Sequence, residues 1–168
     1  MKARIAAETF AQTSKIVLPN DTNVLTNLMG GQLLSWMDIT AGISAQRHSR
    51  RVVVTASVNH VSFNQPIKLG DIVTIEAKIS RAFTSSMEVY LDVYIDLPNG
   101  TKEKSNEAIY TFVAVDQNGS PIEVPELIAE TDLEKERYAG ALRRRQLSLI
   151  LAGKMKPEAA TELKALFG

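Results

Sequence analysis

One segment governs what this chain can fold into. From Gln32 to His48 there is no proline and one glycine, Gly42, while apolar residues stand at Leu33, Leu34, Trp36, Met37, Ile39, Ala41, Ile43 and Ala45. They occupy nearly every side of a helical wheel, so the expected helix must be covered on most of its faces. Arg47, His48, Arg50 and Arg51 follow, and cations suit a helix C-terminus; His48 is expected to act as such a cation. No second helix is visible before residue 120.

What surrounds that segment is strand-like. Thr13–Leu18 is β-prone and ends at Pro19; Asn20 to Asn23 then open a polar loop that runs to Gly30-Gly31. Residues 51–63 are β-branched, with Val52, Val54, Ala56 and Val58 expected on one face. Val53, Thr55, Ser57 and Asn59 fall on the other, and His60 continues the strand. Residues 72–83 and 87–97 alternate apolar and polar side chains, as half-buried strands do. Pro98-Asn99-Gly100 is a turn, and 107–115 is apolar on both sides, which suits a central strand. Thr131 and Glu134 have the spacing of a capping box, so a charged helix is expected from there through Arg143-Arg144-Arg145. A second short helix is expected at Pro157.

One long helix buried on most sides needs a strongly curved antiparallel sheet wrapped around it. The expected fold is therefore α+β, with a main domain over 1–125 and a helical extension over 126–168. A ferredoxin-like arrangement would need another helix between the strands.

Composition excludes several kinds of chemistry. Lys plus Arg and Asp plus Glu number 19 each, so no net field draws the chain to nucleic acid or a membrane surface. The absence of cysteine removes disulfides, zinc thiolates and cysteine nucleophiles, and two histidines make a histidine-rich metal site unlooked-for. The first ten residues have no apolar run behind a basic start, as a leader peptide would, and no stretch is long and apolar enough for a membrane helix. A cytoplasmic location, with neither membrane nor nucleic-acid partner, is the expectation.

Asp38 is the anomaly. It lies between Met37 and Ile39 in the segment expected to see least water, where an unpaired carboxylate costs several kcal/mol. Two readings stand: a task in catalysis, or a side chain turned to solvent or bonded to Ser35 one turn earlier. Just before the helix lie Asn27, Gly30 and Gly31. Glycines admit a ligand close to the backbone, and the first N–H groups of a helix can polarise a carbonyl. The plainer reading is a glycine loop with Asn27 as a turn residue.

The run from Asn23 through Asn27, Met29, Gly30-Gly31 and Trp36-Met37 to Asp38 resembles the active-site segment of hotdog-fold acyl-CoA hydrolases, both bacterial broad-range and brain-type. Residues 54–58 (VTASV), 84–89 (TSSMEV) and 124–127 (VPEL) ahead of 134–137 (EKER) match the same family in order. The resemblance extends from about Ser14 to Arg145, and Met29 departs from the histidine or aromatic that many relatives carry.

The resemblance implies an acyl-CoA thioesterase without cofactor or metal, releasing free acid and coenzyme A. Asp38 would be general base or nucleophile, with Asn27 as its partner on water or substrate and Gly31 at the oxyanion. It also implies a homo-oligomer built from dimers, as a trimer of dimers, with Asn27 of one chain facing Asp38 of the other. Gly30, Thr55, Ser57, Arg81, Ser85 and Ser86 are the candidate contacts to substrate and its coenzyme A portion. Arg81, Ser85 and Ser86 share a turn suited to phosphates, while Thr55 and Ser57 would line the pantetheine channel. Arg47, Arg50, Arg51 and the Arg143 to Arg145 run are further phosphate candidates, or simply solvated faces. The competing functions are a hotdog hydratase or dehydratase, which would pair an aspartate with a histidine, and an acyl-CoA sensor that binds without turnover.

Overall fold

The computed structural model describes all 168 residues, which divide into two compact units, Met1–Ile128 and Ala129–Gly168. The first unit opens with β1 (Arg4–Ile5), a 3-10 turn and β2 (Ala11–Ile16), followed by the helix α1 (Gly30–Ser49). Four strands follow: β3 (Val52–Asn59), β4 (Ile72–Ala82), β5 (Ser86–Asp96) and β6 (Lys102–Val115). The unit closes with β7 (Leu127–Ile128), which pairs in parallel with β1.

The main sheet is antiparallel, in the order β2-β4-β5-β6-β3. It curls around α1, which touches all five strands. Each of three strands carries one unpaired extra residue: Ala56 in β3, Ser80 in β4 and Ser105 in β6. Such bulges bend a strand and raise its twist, which is what wrapping a helix requires. The inner face is filled by Val73, Ile75, Ala77 and Ile79 of β4, Met87, Val89, Leu91 and Val93 of β5, and Tyr110 and Phe112 of β6, all buried.

Several expectations change on contact with the structure. Gly30 and Gly31 do not precede α1 but form its first turn, with Met29 as N-cap. The helix is covered on one side only: Leu33, Met37, Ala41, Ala45 and His48 are buried, while Ile39 and Ile43 remain exposed, Ile39 at 57%. β6 begins at Lys102, well before the apolar run at Glu107, because ladder pairing with β5 carries it through polar residues. β3 stops at Asn59, since His60 adopts a left-handed backbone (φ 56°) and turns the chain out of the ladder. β3 and β2 are the edges of the sheet, and β3 leaves Val52 and Val54 exposed along its edge.

In the second unit, α2 (Asp132–Leu151) starts with the expected capping box: Glu134 N–H donates to Thr131 Oγ1 at 3.1 Å, and Thr131 N–H to Glu134 Oε2 at 3.0 Å. Pro157 opens a single 3-10 turn rather than a helix; the short α3 (Thr161–Lys164) comes after it. Gln146 Oε1 caps α3 by accepting from the N–H groups of Glu162 and Leu163, each at 3.0 Å.

Candidate active site

Asp38 stands in the third turn of α1, half-buried rather than sealed away. Its partner is not Ser35. The Thr55 hydroxyl, reaching across from β3, donates to Asp38 Oδ1 at 2.6 Å, within the short range of hydrogen bonds to a charged oxygen. That bond exists because of register. Thr55 lies opposite Phe112 and Val53 opposite Ala114, both inward-facing positions of β6.

The bulge at Ala56 then breaks the alternation. Ser57 pairs with Thr111, on the opposite face from Phe112, and takes a hydrogen bond from Asn59 at 3.4 Å. Thr55 and Ser57 therefore do not share a face, contrary to strict period-two counting, and Val58 returns inward opposite Tyr110.

Tyr110 underlies the site. Its hydroxyl donates to the Leu34 carbonyl at 2.9 Å, one turn before Asp38 on the same helix. Burial, reinforced by the negative charge of Asp38, pushes this hydroxyl's pKa up to about 12. Tyr110 thus remains a donor throughout the working pH range and steadies the helix turn that carries the carboxylate.

At the start of α1, Gln32 and Leu33 N–H both donate to the Met29 carbonyl at 3.1 Å, and the Gly30 and Gly31 N–H groups have no backbone acceptor. These are the free donors of a helix N-terminus, where the macrodipole favours negative charge. A side chain at Gly30 would meet the Phe63 ring, with its Cβ 3.3 Å from Cζ, whereas the space beside Gly31 is open. Phe63 was not singled out by the sequence and forms a wall beside the glycines.

The loop before the helix is built on Asn23. Its Oδ1 accepts from the N–H groups of Leu25 (2.9 Å) and Asn27 (3.2 Å), and its own N–H donates to the Asn27 carbonyl at 2.8 Å. Thr26 takes a left-handed backbone (φ 59°) to close the turn. Because both partners of the Asn23 side chain are donors, the atom facing them is the oxygen, and its Nδ2 is left for other contacts. Asn27 makes no hydrogen bond to Asp38 in the chain.

Arg81, Ser85 and Ser86 gather at the β4–β5 turn, apart from the Asp38–Thr55 pair. Arg81 lies 5.8 Å from the Phe83 ring, and the Ser85 carbonyl accepts from Ala114 N–H at 3.0 Å. Arg81 pairs with Glu88, and Ser86 with Val113, on the sheet face opposite to α1. His48 is not a helix-end cation: it is fully buried, Nε2 lies 2.6 Å from the Pro125 carbonyl, and burial holds its pKa below the usual value. No group of His, Asp and Glu is placed to hold a metal ion, and no helix is long and apolar enough to cross a membrane.

This geometry has close counterparts. The thioesterase superfamily profile matches residues 25–98. An uncharacterised acyl-CoA thioester hydrolase of Bacillus subtilis is 41% identical over 141 residues, covering 80% of this chain and 82% of that protein. The chain belongs to the hotdog acyl-CoA thioesterase family. The acyl-CoA hydrolase of Staphylococcus aureus, solved with butyryl coenzyme A and coenzyme A, superposes with a TM-score of 0.84 at 36% identity over 90% of this chain and 95% of that one. A hexameric acyl-CoA thioesterase gives a TM-score of 0.86 at 32% identity, over 90% and 98% of the two chains. The rat cytosolic acyl coenzyme A thioester hydrolase is 35% identical, and this family member spans only 35% of its length. In the Staphylococcus aureus enzyme an asparagine, an aspartate and a threonine have each been replaced by alanine; the asparagine lies fifteen residues before the aspartate and the threonine seventeen after it.

Proposed function

We propose that this thioesterase hydrolyses acyl-CoA with Asp38 as general base, Thr55 as the residue that orients it, and the Gly31 N–H as the oxyanion donor. The observation that carries the reading is the Thr55–Asp38 hydrogen bond. It occupies Oδ1 and leaves Oδ2 to take a proton from water. The hydroxide so formed bonds to the thioester carbon, and the carbonyl electrons move to an oxygen held by the helix N-terminus. Collapse of that intermediate breaks the C–S bond, and Asp38 returns its proton to the departing thiolate. A thiol pKa of about 8.5, taking cysteine as a guide, makes the thiolate a good leaving group. An activated water and a polarised carbonyl are then sufficient equipment.

The asparagine of the site is Asn23 rather than Asn27 on this reading. Asn23, Asp38 and Thr55 reproduce the separations of the three replaced residues in the Staphylococcus aureus enzyme, whereas Asn27 stands only eleven residues before Asp38. Asn27 then serves the loop through its backbone, and Asn23 Nδ2 is the donor toward water or substrate. Arg81, Ser85 and Ser86 remain the proposed contacts to the coenzyme A phosphates, with Thr55 beside the pantetheine arm.

The site is open in a single chain. Asn23 and Gly31 are exposed, Asp38 is half-buried, and Val24 and Leu25 at the loop tip are 99% and 72% exposed. A second chain completing it, with dimers assembled as a hexamer, fits that openness and the hexameric relatives. A cytoplasmic location follows the rat relative's name.

Thiol release from acetyl-, butyryl-, hexanoyl-, decanoyl- and palmitoyl-CoA tests the reading. Turnover of at least one is expected. Tight binding without thiol release would make the protein a sensor, and water addition to an enoyl-CoA without thiol release would make it a hydratase.

A further inference from the structure

The groups assigned to hydrolysis lie on two pieces of chain. Asn23 belongs to the loop of residues 22–28, while Gly31 and Asp38 belong to α1. The far limb of the loop is tied to a neighbouring segment: Leu28 N–H donates to the Ile67 carbonyl at 2.6 Å, and Leu69 N–H to the Thr26 carbonyl at 3.0 Å. What joins the near limb, two residues before Asn23, to the helix is Asp21.

Asp21 is buried, at 8% exposure, and takes no part in the chemistry proposed above. Its Oδ2 accepts from Leu18 N–H at 2.9 Å, across the 3-10 turn Pro19–Asp21. Its Oδ1 accepts from Gln32 Nε2 at 2.9 Å, and its carbonyl accepts from Met29 N–H, also at 2.9 Å. Asp21 therefore grips the N-cap of α1 by its main chain and the first turn by its side chain. No ion pair balances its charge, and a buried carboxylate without a cation is costly. The cost has a geometric reason. The two carboxylate oxygens face two donors, and asparagine would turn an NH2 group toward one of them.

Resting on the hydrolytic reading above, we propose that Asp21 and Gln32 are positioning residues for the reaction. Their hydrogen bond holds the loop that presents Asn23 in fixed register on the helix that presents Gly31 and Asp38. Neither side chain is assigned a contact with substrate; both act through the groups they align. A shift of about 1 Å in such groups costs up to about a hundredfold in rate.

Reversing the polarity of the bond tests this in the full chain. Asp21→Asn sets an NH2 group against a donor, and Gln32→Glu sets two carboxylates face to face. In the double variant the asparagine oxygen takes Leu18 N–H and its NH2 donates to the glutamate, with the local charge unchanged. Thiol release is measured at saturating acyl-CoA, well below the melting temperature. Each single variant is expected to lose about tenfold in kcat, with KM moving less, and the double variant to recover to within about threefold of the parent. Gln32→Leu removes the donor while sparing the other bonds of Asp21, and covers the case of a single variant that does not fold; it too should lose about tenfold. Folded variants with lowered melting temperature but parental kcat would make the bond merely structural and overturn the proposal. So would a double variant no faster than the slower single one. A parent that releases no thiol is a different result: it would remove the hydrolytic reading itself, and this role with it.

Discussion

Replacing Thr55 with valine isolates one hydrogen bond. The Thr55 hydroxyl meets Asp38 Oδ1 at 2.6 Å, and a bond to a charged oxygen contributes about 1.5–3 kcal/mol. Thr55 is exposed and Asp38 half-buried, so water competes and the lower end, about 1.5 kcal/mol, applies. If the bond holds the carboxylate through the transition state, its loss costs about tenfold in kcat at ~1.4 kcal/mol per decade. Stability should change by no more than about 0.5 kcal/mol, since valine keeps the shape and favours a strand. Steady-state thiol release on a good substrate reads the rate, and thermal unfolding reads the fold. Thr55→Ser, which retains the hydroxyl, should stay within about threefold of the parent. A valine variant within twofold of the parent rate, or a serine variant as slow as valine, would refute the reasoning.

Other outcomes follow from the same geometry. Asn23→Ala should lose about a hundredfold in kcat, as for removal of an oxyanion-type donor, while Asn27→Ala keeps most of its activity; the reverse ranking would return the role to Asn27. Light scattering at micromolar concentration should find an oligomer, and Val54→Lys on the exposed β3 edge should shift it toward smaller species, so a monomeric parent would contradict the assembly. His48 is neutral in the fold, whereas the unfolded chain takes up its proton near pH ~6.5. Its contribution is therefore complete above that pH and is lost as pH falls toward the depressed folded pKa. The melting temperature should hold from pH 8 to 7 and decline between about 6.5 and 5, less steeply in His48→Gln; equal slopes would assign the decline elsewhere.

The architecture was legible in the sequence because an apolar helix of that length, followed by strands alone, leaves few ways to bury it. Asp38 stood out for a related reason: a carboxylate in an apolar run is costly enough to demand a partner. The partner itself is not legible: the sequence offers Ser35 or Asn27 and leaves Thr55 to the pantetheine channel, whereas the fold brings Thr55 to Asp38. The bulge at Ala56 leaves no mark in composition, so Ser57 was assigned to the face of Thr55 when the ladder turns it away. Asn23 was read as the polar opening of a loop, although an asparagine ahead of a tight turn is a known way to bond backbone N–H groups two and four residues on. Asn27 lies nearer the glycines and is the residue the resemblance pairs with Asp38. His48 looked like a terminal cation because a sequence does not reveal that the chain returns, at Pro125, to cover it. The exposed Ile39 and Ile43 mark a further limit, since a helical wheel registers apolar faces without distinguishing cover by the chain's own sheet from cover by another chain.

The central claim is that Asp38 activates water. Asp38→Asn keeps the size of the side chain and an oxygen for Thr55 while removing the base. Under saturating acyl-CoA, with circular dichroism confirming the fold and scattering confirming the assembly, kcat should fall by about a hundredfold or more. A folded, assembled Asp38→Asn protein that releases thiol within a few-fold of the parent rate would contradict the account.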